Sequence, residues 1–237
     1  RIYRFGEKDN FWAAGDIGPC GPCTEIYYDQ GADYNTGNPD LDRMGGDGDR
    51  FREFYNLVFM QYNRDAQGNL SPLPRPSVDT GMGLERISAI LQNARSNYEI
   101  DSFQSIIQAI SKLSGKAYKI GSADEYSVAT RVIADHLRAV SFLIADGILP
   151  SNEGRGYVLR RILRRAVRYG KKLGFENAFM EKLVPTLVTA MGTAYPELKE
   201  KQDFIRKAIK AEEENFFTTL EKGLSILSEK LKELPKG

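Results

Sequence analysis

The sequence SVDTGMGLERI, residues 77–87, combines a strand-like approach, a carboxylate, two glycines one residue apart and the start of a helix. Leu84, Ile87 and Leu91 recur at helical spacing, which predicts that they form one docked apolar face. The two glycines allow the backbone to approach a ligand closely or to adopt positive φ. The pattern therefore predicts a strand–glycine–helix unit whose helix begins near Leu84.

Two charged residues of this unit suggest a binding site. Arg86 lies more than a quarter-turn from the apolar face, so we expect it to point into a cleft that Asp79 also flanks. A carboxylate that holds an ammonium group and a guanidinium that holds a phosphate suit a site for an amino acid and a nucleotide. The helix N-terminus adds unpaired N–H groups for an anion. An ordinary strand–helix turn with a surface salt bridge fits the spacing as well.

Composition limits the class of protein. With 237 residues, of which 41% are hydrophobic, the chain can bury a substantial core, so global disorder is excluded. The net charge of +1 requires that any nucleic-acid binding come from local clusters. Two cysteines without disulfide-like spacing, no long apolar run and no signal-like N-terminus predict a cytoplasmic protein without a membrane partner. The chain begins in a strand-like stretch without Met, which suggests a piece of a longer polypeptide.

The first part of the chain reads as β-structure. Phe51–Asn63 carries apolar residues on both faces, which predicts an interior strand covered on both sides. Thr24–Asp29 predicts another strand, whereas residues 15–23 are too rich in Gly and Pro for a regular element. Residues 30–50 hold many Gly and Asp, which predicts an exposed insertion loop.

The second part reads as helices. Three helices are predicted first: Asp101–Leu113, Tyr126–Ala145, and a segment that is capped by Ser151 or Asn152 and ends at about Leu173. The last is Glu197–Leu234, with a bend near Gly223 and an apolar seam formed by Phe217, Leu220, Leu224, Leu227, Leu231 and Leu234. The predicted fold class is α+β, with a β-rich domain over 1–97 and an all-helical domain over 98–237.

The third of these helices is strongly basic. Between Arg155 and Lys172 there are eight Lys or Arg and no acid, whereas solvated helices usually interleave both signs. This indicates an anionic partner such as a phosphate backbone, although a merely solvated face is the alternative. Asn152, just before the helix, is either an N-cap or an amide that reaches base edges in the shallow groove of an A-form duplex.

The two cysteines and the single histidine are interpreted as structural residues. Cys20-Gly21-Pro22-Cys23 supplies only two ligands for a zinc knuckle, and the chain has a single His, so we expect no metal here. A redox pair is the other alternative for these cysteines. His136 has apolar helical neighbours, which predicts a core histidine bonded to a neighbouring group.

Taken together, these stretches resemble the alanyl-tRNA synthetase family, and the similarity covers nearly the whole chain. The matching motifs are NFW at 10–12, GDIGPCGPCTEI at 15–26, NLVFMQ at 56–61, PSVDTGMGLER at 76–86, and the stretch from IADG at 144–147 to GYVLRR at 156–161. The resemblance implies an antiparallel class II catalytic sheet followed by a helical tRNA-recognition domain. The implied reaction joins alanine to ATP as alanyl-adenylate and then transfers alanine to the 3′ end of its tRNA.

The resemblance also implies roles for individual residues. Asp79 and Arg86 would be the catalytic pair, Asp79 holding the alanine ammonium and Arg86 the phosphates of Mg–ATP. The implied alanine-binding residues are Trp12, Asn56, Val58, Asp79 and Gly81, and the implied ATP-binding residues are Gly81, Gly83 and Arg86. Asn152 would read a G·U pair of the acceptor stem, beside phosphate-binding side chains of Arg155, Arg160, Arg161, Arg164, Arg165 and Arg168.

The chain departs from the family pattern in two places. Class II motifs 1 and 2 and the zinc-bearing editing region are not found in it, so we expect the chain alone to form no adenylate and to need the remainder of the synthetase. Expected partners are tRNA(Ala), alanine and ATP, with no zinc. The alternative is a non-catalytic RNA-binding module that keeps the fold without the chemistry.

Overall fold

The computed structural model describes the backbone of residues 1–233 and the side chains of residues 1–230. The chain divides into two compact units, Arg1–Asn97 and the part from Tyr98 onward. The first unit is built on an antiparallel sheet and the second on helices. The architecture is α+β, as the sequence predicts.

The first unit holds a four-stranded sheet of β1 (Phe11–Ala13), β2 (Gly18–Asp29), β3 (Phe51–Arg64) and β4 (Leu70–Met82), in that spatial order. All neighbours are antiparallel. β3 is an interior strand, as predicted, but the expectation that both of its faces are covered is wrong. Val58 and Met60 are buried on one face with Cys23, whereas Phe59 on the other face is 38% exposed.

Strand β2 begins six residues earlier than predicted, because the Gly- and Pro-rich segment is itself paired with β1. At Gly21 the backbone of β3 comes so close that an added Cβ would lie 1.9 Å from the Phe59 carbonyl oxygen. The register shifts between Cys20 and Cys23, which is the mark of a bulge. Glycine at this position lets two strand backbones approach closely. Composition alone does not distinguish such a strand from a glycine-rich loop.

The rest of the first unit agrees with the predictions from the sequence, except for the face on which its helix docks. Residues 30–50 form the expected loop, and none of them is buried. Helix α1 (Leu84–Leu91) begins where predicted, but Ala89 is its buried residue, while Leu84 and Leu91 are exposed. The predicted docked face is therefore wrong, because α1 approaches β3 with the side that carries Ala89 and Arg86.

The second unit contains six helices within the described residues. They are α2 (Asp101–Ser114), α3 (Glu125–Ala145), α4 (Gly154–Lys172), α5 (Val184–Met191), α6 (Pro196–Glu200) and α7 (Gln202–Glu233). Helix α2 ends at Gly115 with a left-handed φ of 68°, as glycine allows. Asp124 caps α3 by accepting the N–H groups of Tyr126 and Ser127. Apolar residues of α3 and α4, such as Leu137 and Leu163, are fully buried.

The apolar seam predicted for the last helix is only partly packed. The segment divides into α6 and α7, and α7 runs unbroken through Gly223. Its buried positions end at Phe217, whereas Leu224 and Leu227 are each 54% exposed. The seam therefore packs along about half of α7, and its predicted members Leu231 and Leu234 lie outside the described side chains.

A buried carboxylate joins α7 to the segment after α4. Glu213 is fully buried and accepts hydrogen bonds from the backbone N–H groups of Phe179 and Met180, each at 3.1 Å. A longer contact of 3.4 Å links it to the N–H of Glu181. Burial raises the pKa of Glu213 to about 7, which outweighs the opposing effect of these N–H donors.

The raised pKa predicts a pH-dependent stability. A carboxyl whose pKa is higher in the folded than in the unfolded state stabilises fully below the unfolded value, and this stability is lost as pH rises through about 7. The protein should therefore lose up to about 3 kcal/mol relative to Glu213→Gln between pH 4 and pH 8. Urea unfolding of both proteins across this range measures the difference. Glu214→Gln, at an exposed neighbour, is the control, and parallel pH curves for Glu213→Gln and the unmodified protein would contradict the prediction.

Candidate functional site

One face of the sheet gathers four of the predicted alanine-binding residues. The β3–β4 register places Asn56 opposite Gly81 and Val58 opposite Asp79. Directly opposed residues of an antiparallel pair project to the same side, so these four share a face. The fifth, Trp12, lies on the edge strand β1 opposite Gly21.

The residues on this face differ in their environment. Val58 is buried with Cys23 and Met60, whereas Asp79 is exposed. The Asn56 Oδ1 atom is buried, and no described residue donates a hydrogen bond to it. A buried acceptor without a donor is costly in a folded protein, so this atom is suited to a ligand N–H or O–H group.

The two glycines serve different purposes. A Cβ added at Gly81 would meet no protein atom within 4 Å, so the space beside this backbone is open to a ligand. A Cβ at Gly83 would lie 3.3 Å from the side chain of Arg86, so this glycine makes room for the arginine stem. Gly83 has a φ of −73°, and its role is close approach rather than a left-handed conformation.

Arg86 is anchored to β3 through Glu53. Its Nη1 atom donates to the Glu53 carbonyl oxygen at 2.8 Å and to the Glu53 carboxylate at 3.1 Å. Glu53 and Val58 are five residues apart on β3, so this anchor lies roughly 15 Å along the sheet from Asp79. Asp79 and Arg86 therefore make no direct pair, and a molecule that touched both would be extended.

Glu53 is a partner of Arg86 that the sequence analysis does not identify. Simple alternation along β3 places it on the face opposite Asn56. The register shifts between Ile26 and Tyr27, however, and pairs Glu53 with Tyr27. The Tyr27 hydroxyl donates to Glu25 at 2.6 Å, and burial together with this bond raises the pKa of Tyr27. No pattern in the sequence marks this bulge.

A cleft of about 540 Å³ lies along β2. Its lining includes the segment Arg1–Phe5 and the residues Asn10, Cys23, Glu25 and Tyr27, but neither Asp79 nor Arg86. Burial raises the pKa of the Cys23 thiol, which keeps it protonated and unreactive. Both cysteines are free and buried.

The side chains of residues 1–230 include no group of three or more His, Cys, Asp or Glu placed to bind a metal ion. None of the helices within residues 1–233 combines the length and hydropathy of a membrane span.

Seven of the eight basic side chains of α4 fall into two groups. Arg155, Arg161, Arg165, Arg168 and Lys172 are exposed, and the last four follow one stripe at spacings of four, three and four. We call Arg161, Arg165, Arg168 and Lys172 the exposed stripe. Within this stripe, Lys172 forms an ion pair with the exposed Glu125 at 3.0 Å.

The second group of basic side chains binds other parts of the protein. Arg164 forms an ion pair with Glu212 at 2.7 Å and lies 4.9 Å from the ring centre of Phe216, so it fastens α7 to α4. Lys171 covers the ring of Phe217. Arg164 was predicted as a phosphate-binding residue, but its guanidinium is committed to these intramolecular contacts.

Asn152 is not the helix cap that one interpretation expected. Helix α4 begins at Gly154, Glu153 occupies the cap position, and no side chain caps the helix, so Ser151 is not a cap either. The exposed Asn152 side chain instead accepts a hydrogen bond from Arg160. His136 is largely buried, and its Nδ1 lies 2.8 Å from the Asp135 carboxylate, in agreement with a core role.

The chain is similar to known proteins over its whole length. The family model described as tRNA synthetases class II (A) matches residues 1–237. An alanine–tRNA ligase of Idiomarina loihiensis is 57% identical over 234 residues, which are 99% of this chain and 26% of that protein. The alanine–tRNA ligase of Acidithiobacillus ferridurans is 55% identical over 237 residues, which are 100% of this chain and 27% of that protein. The alanine–tRNA ligase of Campylobacter jejuni is 56% identical over 232 residues, which are 98% of this chain and 27% of that protein. The chain thus spans about a quarter of the length of these relatives.

The two groups of basic side chains predict different effects on stability. Arg164→Ala removes a partly buried ion pair and a cation–π contact, so unfolding should become easier by about 1–2 kcal/mol. Arg168→Ala, in the exposed stripe, should change the free energy of unfolding by less than about 0.5 kcal/mol. Urea unfolding of both variants tests the division, and equal losses of stability would show that it is incorrect.

Proposed function

Because the chain belongs to the class II (A) family of tRNA synthetases, we propose that it is part of an alanine–tRNA ligase. In this proposal the sheet unit holds alanine and ATP, and the helical unit binds the acceptor stem of tRNA(Ala). The observation that carries the proposal is the shared face of Asn56, Val58, Asp79 and Gly81. The remainder of the ligase, the substrates Mg–ATP and alanine, and the cytoplasm as location belong to the same proposal.

The amino-acid site is built around Asp79. Its exposed carboxylate binds the ammonium group of alanine through a charge-assisted hydrogen bond. The amide hydrogens of Asn56 donate to the carboxylate side of alanine, and its buried, unpaired Oδ1 accepts an N–H group of the ligand. Val58 packs against the methyl group, and Trp12 closes the wall. A small apolar pocket of this kind rejects larger side chains but discriminates weakly against glycine and serine.

The nucleotide site lies further along β3. Arg86 binds the ATP phosphates, while Glu53 holds one end of its guanidinium and leaves the other N–H groups available. The open space beside Gly81 admits the reacting groups close to the backbone. The separation of roughly 15 Å between Asp79 and the Arg86 anchor suits an extended alanine–ATP pair better than a compact ligand.

The reaction then follows from orientation and charge. The carboxylate oxygen of alanine attacks the α-phosphorus of ATP, which forms alanyl-adenylate and releases pyrophosphate. The 3′-terminal ribose hydroxyl of tRNA next attacks the carbonyl carbon and releases AMP. Asp79 and Arg86 hold the two ends of the reacting pair, so their contribution is alignment and stabilisation of charge.

The helical unit supplies the tRNA contacts. The exposed stripe together with Arg155 binds phosphates of the acceptor stem, and Asn152 reads a G·U pair in the shallow groove. Arg164 supports this surface by fastening α7 to α4 rather than by binding RNA.

Alanine-dependent ATP–pyrophosphate exchange tests the role of Asp79. The protein is the Idiomarina loihiensis ligase with its matching segment replaced by this chain. Asp79→Asn keeps the shape but removes the charge that pairs with the ammonium, so kcat/KM for alanine should fall about 10- to 100-fold. Thr80→Ser, on the opposite face, is the control and should remain within about twofold. An Asp79→Asn enzyme with unchanged kcat/KM would refute the assignment.

Binding of acceptor-stem hairpins to this chain tests the tRNA role. A hairpin with the G·U pair should bind about three- to tenfold more tightly than its G·C counterpart, and Asn152→Ala should abolish the difference. Affinity for both should fall as salt rises, because phosphate contacts release counterions. Fluorescence anisotropy at two salt concentrations measures both effects, and equal affinity for the two hairpins would count against base reading by Asn152.

A further inference from the structure

The segment before α4 is folded back over the first turn of that helix. The Ser151 N–H donates to the Gly156 carbonyl oxygen at 3.2 Å, and the Ser151 hydroxyl donates to the Glu153 carbonyl oxygen at 2.7 Å. Gly154 adopts a left-handed φ of 57°, which allows the reversal. Asn152 therefore stands on a short, internally bonded loop rather than on a free strand of chain.

Glycine at position 156 is required for this arrangement. A Cβ there would lie 2.3 Å from both the Leu149 carbonyl oxygen and the Ser151 hydroxyl oxygen. These distances are far shorter than any van der Waals contact, so a side chain would push the loop away from α4. Gly156 is buried beneath the loop that presents Asn152.

Arg160 lies one turn beyond Gly156 on the same side of α4. Helical side chains lean towards the N-terminus, so the Arg160 side chain reaches back over Gly156. There its Nη1 atom donates to the Asn152 Oδ1 atom. A guanidinium has donors only, so the amide oxygen must face it and the two Nδ2 hydrogens must turn outward.

We propose that Arg160 is a positioning residue that fixes the Asn152 amide with its N–H donors directed at the shallow groove of the acceptor stem. The inference rests on the proposed function of Asn152 as a base reader. A wobble pair shifts its two bases relative to each other, so G·U and G·C offer groove acceptors at different positions. A fixed donor discriminates between these positions, whereas a freely rotating amide follows the acceptor in either pair.

This role differs from the phosphate binding first expected of Arg160. An arginine that only binds phosphate contributes equally to every sequence and adds about one unit to the salt dependence. A positioning arginine changes the ratio of affinities for G·U and G·C. Holding the Asn152 side chain in one conformation before binding removes the entropy cost of ordering it. This accounts for a factor of about three to ten in that ratio.

The experiment uses this chain with hairpins that differ only in the G·U or G·C pair, titrated at two salt concentrations. Arg160→Met removes the donor and should lower the affinity ratio about three- to tenfold. Arg160→Lys, which retains a donor, should keep most of the preference. Arg168→Met, in the exposed stripe, is the matched control and should weaken both hairpins equally without altering the ratio.

A second variant separates geometry from charge. Gly156→Ala keeps every cation, so affinity for the G·C hairpin and its salt dependence should remain unchanged while the preference for G·U falls. Circular dichroism measures whether this variant keeps its helices. If the helices are lost, the Arg160 variants alone test the positioning role. A preference that survives Arg160→Met, or equal weakening of both hairpins by it, would overturn the positioning role. Absence of any preference in the unmodified chain would instead overturn the proposed function of Asn152, and this inference with it.

Discussion

The pairing of Val58 on β3 with Asp79 on β4 determines which side of the sheet carries the proposed alanine-binding residues. A slip of one residue would turn Asp79 to the opposite face and leave Asn56 and Gly81 unmatched. One feature resists such a slip. Leu73 of β4 packs against the buried cluster of Cys23, Val58 and Met60, and a slip would turn its side chain to the other face. Packing on this face therefore fixes which residues lie beside Asp79.

The helical unit shows the same dependence of function on local packing. Basic residues of α4 look equivalent in the sequence, yet their positions around the helix assign them different tasks. Arg164 and Lys171 face α7 and interact with Glu212 and Phe217, whereas the exposed stripe faces solvent. A cation that is already paired inside the protein gains little by binding phosphate, because it must first give up its partner. The partners supplied by α7 thus decide which cations of α4 remain available to an anionic partner.

Periodic features could be predicted from the sequence and context-dependent ones could not. The long helices and the interior strand β3 emerged from apolar spacing, and the start of α1 from the glycines before Leu84. The extra length of β2 and the orientation of Glu53 were missed, because both depend on bulges created by pairing with a distant strand. The docked face of α1 was assigned to its most apolar side, although the β3 surface accepts Ala89 and the Arg86–Glu53 pair. The contact between Asn152 and Arg160 likewise depends on a folded loop that no propensity indicates.

In the proposed function, segregation of charge lets a nearly neutral chain bind RNA selectively. The net charge of +1 gives little long-range attraction to polyanions, so non-specific association with nucleic acid is weak. The exposed stripe contains only cations, and α4 has no acid from Arg155 to Lys172. Screening limits its field to roughly 8 Å at physiological salt, so only a duplex held against α4 experiences it. In the proposed function, that placement brings the groove within reach of Asn152, and electrostatic attraction therefore acts mainly on RNA already aligned for base reading.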